Sequence, residues 1–119
     1  MTSKPVISYE SSHDEARQAW IYRVQGKLIG SQLCYELLEE ARDRIDSESP
    51  HVVLEISGVT MLNSTGIGII ASLFNTTKEK GGKVYLVGAT PSSQRPLAAT
   101  HVWDFLERCD SLDGLPDQL

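Results

Sequence analysis

The alternation of apolar and polar positions predicts that the chain begins with two strands. Every second side chain from Trp20 to Val24 is aromatic or branched and apolar, which is the period of a strand with two different faces. A shorter edge strand is predicted around Ile7, and residues 11–18 are predicted to form the loop between the two. After a turn, the second strand is expected to continue to Gly30.

Two further segments repeat their apolar residues at helical spacing. The first follows Ser31, a residue type favoured at the N-cap, and its second face carries a run of charges that is typical of a solvated surface. Its predicted buried stripe is Leu33, Leu37, Leu38, Ala41 and Ile45. The second helix is expected to follow a polar stretch, 57–65, and to end at the glycine pair 81–82. Its predicted stripe is Ile67, Ile70, Ala71 and Phe74, broadened by Ile69 and Leu73.

Two nearly continuous apolar runs, 51–57 and 83–89, are typical of strands that are covered on both faces. With the second helix between them, they predict a strand–helix–strand unit with parallel strands. Beyond Pro91 we expect one or two helical turns, and then a last strand, edge element or short helix at 102–106, followed by a tail. The predicted fold class is α/β, with a mixed sheet of four or five strands and helices mainly on one face.

Length and charge narrow the function classes. The 119 residues are 40% hydrophobic and have a net charge of −5, which predicts one acidic globular domain and disfavours nucleic acid as a partner. No apolar run approaches the roughly 20 residues that span a bilayer, and residues 1–5 lack the apolar stretch of a signal peptide. We therefore expect a cytoplasmic protein without membrane insertion, whose two cysteines, Cys34 and Cys109, are small core residues.

Candidate catalytic motifs fail on their structural context. Residues 66–71 match the dinucleotide pattern G-x-G-x-x-G/A, but the preceding strand is predicted to end near Ile56, too early to place the first glycine in the required turn. Ser64 lacks the G-x-S-x-G setting of a hydrolase nucleophile, and the three histidines are scattered. We expect no catalytic residues, no metal site and no cofactor.

The segment 63–66 lies between a predicted strand and a predicted helix and has two interpretations. In the first, Asn63 or Ser64 only caps the helix, and Gly66 only permits close packing. In the second, the Ser64 hydroxyl at the helix start is a modification site, because unpaired backbone N–H groups and the positive end of the helix dipole tolerate a phosphate there. Composition alone leaves both open.

The order of these segments resembles a known family. A strand, a Gly-Lys-Leu turn, an amphipathic helix, the run HVVLEISGVTMLNSTGIGII and then GGKVYLVG resemble the STAS domain, and more narrowly the stand-alone bacterial anti-sigma factor antagonists. The resemblance covers about residues 19–106 of a single domain, 1–119. It implies a four- or five-stranded sheet with helices on one face and no catalytic site of its own.

The resemblance also implies a partner-switching role. Such proteins bind an anti-sigma factor that is often also a serine/threonine kinase, and a PP2C-type phosphatase reverses the phosphorylation. The family motif D-S-[ST]-G falls on residues 63–66, which makes Ser64 the expected acceptor and Thr65 the second choice. The chain departs from the family pattern at Asn63, which replaces an Asp, and at Ile29, which stands where an Asp often helps to form the partner surface.

The expected partner surface is centred on Ser64. Residues that follow strands or open helices gather at one end of a parallel sheet. On that ground we expect the surface to include Gly30, Asn63, Thr65, Gly66, Ile67 and Thr90. The alternative function for the same fold is an accessory subunit without a phosphorylation switch, in a transport system or a signalling scaffold.

Overall fold

The computed structural model describes residues 6–119, so residues 1–5 of the predicted domain lie outside the described part of the chain. The strands are β1 (Ile7–Asp14), β2 (Ala19–Leu28), β3 (His51–Leu62), β4 (Val84–Val87) and β5 (Glu107–Cys109). The helices are α1 (Gln32–Arg44), α2 (Ser64–Glu79), α3 (Pro91–Ala98) and α4 (Val102–Phe105). A 3₁₀ turn follows at Leu112–Gly114.

The strands form one mixed sheet in the order β1-β2-β3-β4-β5, in which β1 is antiparallel to β2 and the other neighbours are parallel. β2 and β3 pair from Ala19 opposite His51 to Leu28 opposite Leu62. The pairing of β3 with β4 stops at Glu55, seven residues (62 − 55) before β3 ends. The carboxyl ends of β2 and β3 therefore extend well beyond the end of β4, in a molecule whose longest dimension is 42 Å.

The prediction that this strand ends near Ile56 is wrong, because β3 continues through most of the polar stretch 57–65, to Leu62. The ladder with β2 is irregular between Arg23 and Gln25 and again between Gly26 and Lys27. Such irregularities break the period of two, so the buried positions of this part of β3 are three residues apart. They are Ile56, Val59 and Leu62.

The predicted loop over residues 11–18 is also shorter than expected. β1 continues to Asp14, opposite Ala19 of β2, so only residues 15–18 make the turn. The side chains of Ser11 to His13 are polar and exposed, so this part of the strand lacks the alternation of apolar and polar residues from which a strand is predicted. At the other end of the chain, the segment 102–106 contains the short helix α4, and the last strand, β5, begins only at Glu107.

The larger core lies between one face of the sheet and helices α1, α2 and α3. The smaller core on the opposite face is covered by the C-terminal segment, through Leu112, Leu115 and Leu119. Arg17 holds this segment in place, because its Nε donates to the Pro116 carbonyl oxygen at 2.8 Å and its Nη1 pairs with Asp14. The prediction of helices mainly on one face is confirmed.

The buried stripes of the two long helices are shifted from the predicted ones. In α1, Cys34 is fully buried, whereas Leu33 at the predicted start of the stripe is 37% exposed. In α2 the buried side chains include Ile69, Ile70 and Leu73, whereas Ile67, Ala71 and Phe74 are only half-buried. Cys109 is half-buried and packs against the smaller core.

Glu40 and Arg44 connect the end of α1 to the sheet. Arg44 lies 3.2 Å from Glu40 and donates to the hydroxyl groups of Tyr22, at 3.1 Å, and Ser11, at 2.9 Å. Burial, reinforced by the Glu40 carboxylate, raises the pKa of Tyr22 to about 12. The phenol therefore stays neutral and accepts the Arg44 hydrogen bond throughout the ordinary pH range.

His51 links β3 to the start of β4. Its side chain is buried, and its Nδ1 accepts a hydrogen bond of 3.0 Å from the backbone N–H of Lys83. Burial lowers the pKa of this imidazole, and the neighbouring Lys83 charge lowers it further. Protonation of Nδ1 would also remove the acceptor. The neutral form is therefore the one that the folded chain stabilises.

We predict that His51 makes the free energy of unfolding depend on pH. Because the pKa is lower in the folded than in the unfolded chain, the stabilisation is complete above about pH 6.5 and is lost progressively as the pH falls below that value. Between pH 7.5 and 5.5, urea unfolding of the wild type should lose more stability than that of His51→Asn, whose Oδ1 accepts the same hydrogen bond without titrating. Parallel curves for the two proteins would contradict this assignment.

Candidate functional site

Asn63 fixes the start of α2 from two sides. Its Oδ1 accepts from the Gly66 N–H at 2.9 Å, which caps the helix, and its Nδ2 donates to the Ile29 carbonyl oxygen at 3.1 Å. The first of the two possible caps considered above is therefore the one formed. Because the second bond reaches the segment after β2, the side chain ties the beginning of α2 to the loop that precedes α1.

Close backbone packing holds the same two segments together. A Cβ atom on Gly66 would overlap the Leu28 carbonyl oxygen, so only glycine fits against the end of β2. Gly30 has a φ of +95°, and a Cβ there would lie 2.6 Å from Cγ2 of Thr65. The structure thus brings Gly30, Asn63, Thr65 and Gly66 into one site around Ser64.

Ser64 is the first residue of α2, and its side chain is exposed. The first turn of any helix leaves N–H groups without an intrahelical acceptor. In α2 the Gly66 N–H is taken by Asn63, and the N–H groups of Ser64 and Thr65 belong to the same first turn. An anion attached to Ser64 would therefore lie beside backbone donors and the positive end of a 16-residue helix.

The other two predicted surface residues are placed differently. Ile67 is half-buried and lies one turn further along α2, where it packs against the larger core. Thr90 is half-buried at the N-cap position of α3, three residues after β4, and α3 packs against β3. β4 ends opposite Glu55, seven residues before the end of β3, so Thr90 follows a strand that stops well short of Leu62.

Two exposed hydrophobic side chains beside this site are absent from the sequence prediction. Met61, at the end of β3, is 49% exposed, and Tyr35 of α1 is 48% exposed. The Tyr35 hydroxyl lies 3.7 Å from the position of a Cβ on Gly30. The available signal was that Tyr35 lies among the charged residues of α1, away from the apolar stripe.

Cys34 packs against the loop that contains Gly30. Ser31 occupies the N-cap position of α1 but does not cap it with its side chain, and its hydroxyl instead lies 3.3 Å from Cys34 Sγ. Burial raises the pKa of the Cys34 thiol, but hydrogen bonds from Ser31 and from the backbone around Gly30 outweigh burial, so the net pKa is lower than usual. The thiol is fully buried and serves as a packing and hydrogen-bonding group beneath the loop.

Two properties follow for residues 6–119. No group of three or more His, Cys, Asp or Glu side chains in this part of the chain is arranged to hold a metal ion. Over the same residues, no helix is both long and apolar enough to cross a membrane.

The family model of the STAS domain matches residues 12–114. The match covers the end of β1, strands β2 to β5, helices α1 to α4 and the segment 63–66, so the chain belongs to the STAS domain family. Its mixed five-stranded sheet and helices have the architecture of structures of anti-sigma factor antagonists. No match was found among curated protein sequences.

Three solved structures illustrate the likeness. An anti-sigma factor antagonist from Mycobacterium paratuberculosis has a TM-score of 0.76 at 21% identity, over 94% of this chain and 93% of that chain. A STAS-domain anti-sigma factor antagonist from Planctomyces limnophilus has a TM-score of 0.71 at 16% identity, over 88% and 92%. The Bacillus cell fate determinant SpoIIAA, in its phosphorylated form, has a TM-score of 0.63 at 12% identity, over 89% and 95%. At these identities the likeness establishes the fold.

We predict that both polar atoms of the Asn63 amide, Oδ1 and Nδ2, stabilise the folded domain. Asn63→Ala removes the cap and the bond to Ile29, and should lower the free energy of unfolding by about 1–2 kcal/mol. Asn63→Asp retains the cap but places a carboxylate against the Ile29 carbonyl oxygen in place of a donor, so it should also lose stability, by less. Urea unfolding measures both, and an Asn63→Asp variant more stable than the wild type would contradict the role of the Ile29 bond.

Proposed function

We propose that the protein is an anti-sigma factor antagonist, which binds an anti-sigma factor with serine kinase activity and is released from it by phosphorylation of Ser64. In this proposal the chain acts in the cytoplasm as a binding module without catalytic residues or a cofactor. A PP2C-type phosphatase restores the binding form. Family membership and the fold of the neighbouring structures support the binding role.

The exposure of Ser64 at the start of α2 carries the proposal of a switch. Asn63 caps α2, so the Ser64 hydroxyl is not needed as the capping group. Thr65, the second choice, has its methyl group against Gly30, and its modification would disturb that contact. The phosphorylated form of SpoIIAA, at a TM-score of 0.63, supports the idea that this fold accommodates such a group.

The physical effect of the phosphate differs between the free domain and the complex. In the free domain the added charge of about −1.5 to −2 faces solvent and the start of α2, so it costs little stability. In a complex the same group must lose water and displace packed contacts, which costs several kcal/mol unless the partner supplies a cation. Phosphorylation is therefore expected to weaken binding without unfolding the domain.

The alternative, an accessory subunit without a switch in a transport system or a signalling scaffold, uses the same fold. No contact within residues 6–119 favours it. It makes the opposite prediction for Ser64, because binding to its partner would not respond to phosphate. The experiment below therefore distinguishes the two.

We predict that Ser64→Asp weakens binding to the anti-sigma kinase of the source organism by roughly 100-fold, about 2.7 kcal/mol, and that Ser64→Ala binds as the wild type does. Both variants should have melting temperatures within a few degrees of the wild type. Calorimetry with the purified kinase measures the affinities, and incubation with the kinase and ATP followed by mass spectrometry locates the phosphate.

Ser47→Asp is the matched control, because Ser47 is an exposed serine outside the helices and far from Ser64 along β3. It should bind as the wild type does, which separates a local effect from the effect of net charge. Undiminished binding by Ser64→Asp, together with no phosphate on Ser64 or Thr65, would leave the domain as an unswitched adaptor.

A further inference from the structure

Two hydroxyl groups stand side by side at the start of α2, and their exposure does not distinguish them. Ser64 and Thr65 are consecutive residues of the first turn, and both side chains are exposed. Successive residues of an α-helix point about 100° apart around its axis, so the two hydroxyls face different surroundings. What distinguishes the two residues is the contact that the second of them makes.

The Thr65 side chain packs against Gly30. Its Cγ2 lies 2.6 Å, and its Cβ 3.2 Å, from the position that a Cβ atom on Gly30 would occupy. The Thr65 methyl group therefore fills the space that this glycine leaves free. The Tyr35 hydroxyl lies 3.7 Å from the same position, so α1 also borders that space.

Two neighbouring contacts fix the distance between Thr65 and Gly30. The Asn63 amide donates to the Ile29 carbonyl oxygen at 3.1 Å, and Gly66 packs directly against the backbone at the end of β2. In α2 these contacts lie on either side of Thr65, and in the other segment they lie just before Gly30. The methyl contact is therefore made between two segments that are already connected.

This contact restricts the hydroxyl group as well. Threonine carries its methyl and hydroxyl groups on the same carbon, so fixing one fixes the direction of the other. Phosphoryl transfer requires the hydroxyl oxygen to approach the γ-phosphorus of ATP in line with the departing ADP. In that step the oxygen forms the new P–O bond, the bond to ADP breaks, and the hydroxyl proton passes to a base of the kinase. Ser64 has no methyl group and can turn about χ1 to meet this requirement, whereas Thr65 turns only by losing its contact with Gly30.

We propose that the contact between Thr65 and Gly30 makes Ser64 the residue that is phosphorylated. Gly30 is then a specificity-determining residue that acts through Thr65, because it holds the neighbouring acceptor in one orientation and leaves Ser64 as the adaptable hydroxyl of the pair. This proposal rests on the proposed function, since it requires a kinase that docks at the start of α2. It adds to that function the selection between two adjacent acceptors.

Two variants with chemically matched acceptors test the proposal. Ser64→Thr places two threonines at the start of α2 and retains the methyl contact, whereas Thr65→Ser places two serines there and removes it. After a brief incubation with the purified anti-sigma kinase and ATP, mass spectrometry gives the ratio of phosphate on residue 64 to phosphate on residue 65. We expect residue 64 to be favoured at least tenfold in Ser64→Thr and less than threefold in Thr65→Ser.

Thr76→Ser is the matched control, because it makes the same exchange about three turns further along α2, where the hydroxyl donates to the Ser72 carbonyl oxygen. It should leave the wild-type ratio unchanged. Equal ratios in Ser64→Thr and Thr65→Ser would overturn the proposal, assign the choice to the kinase and leave the switch intact. No phosphate on either residue of the wild type would overturn the proposed function as well.

A second measurement needs no kinase and decides the proposal even if the kinase accepts only serine. Three-bond NMR couplings between the Thr65 methyl carbon and the backbone report its χ1 angle in the free wild-type domain. We expect a single rotamer, together with a nuclear Overhauser effect between this methyl group and the Gly30 α-protons. Averaging among rotamers, or the absence of that effect, would overturn the proposal.

Discussion

The parallel pairing of β2 and β3 along their whole length is the constraint on which the site depends. It places Leu28 beside Leu62, so that the carbonyl oxygen of Leu28 meets the first turn of α2 at Gly66. The chain must then leave both strands within a few residues of each other. The loop at Gly30 and the start of α2 are therefore held together by the backbone and by the amide of Asn63.

The identity of Asn63 follows from this geometry. A carboxylate at the same position would cap α2 and add favourable charge near the helix start. Only an amide can accept from Gly66 and donate to Ile29 at the same time. The departure from the family motif thus exchanges a charge at the helix start for a hydrogen bond between two loops.

Much of the fold could be predicted from the sequence, because periodicity reports burial directly where an element has one consistent covered face. The alternation in β2, the helical spacing in α1 and α2 and the apolar run at the start of β3 are such cases. The second half of β3 was missed because the irregular ladder with β2 spaces its buried residues by three, a pattern that belongs to neither a strand nor a helix. The exposure of Leu33 was missed because it depends on where β1 passes α1, which is tertiary information. The juxtaposition of Gly30 with Thr65 likewise needs the sheet register.

The Arg17 contacts have a consequence for how such a domain can be joined to other chains. Arg17 holds the C-terminal segment near the amino ends of β2 and β3, where Gln118 and Leu119 also line a cleft with His51. The 12 residues of β3 separate that end from Ser64, and the 11 steps between them span roughly 36 Å at the usual rise per residue. A polypeptide attached after Leu119 would therefore begin at the end of the domain opposite Ser64. Its bulk would therefore lie away from the start of α2 and leave that surface open to solvent.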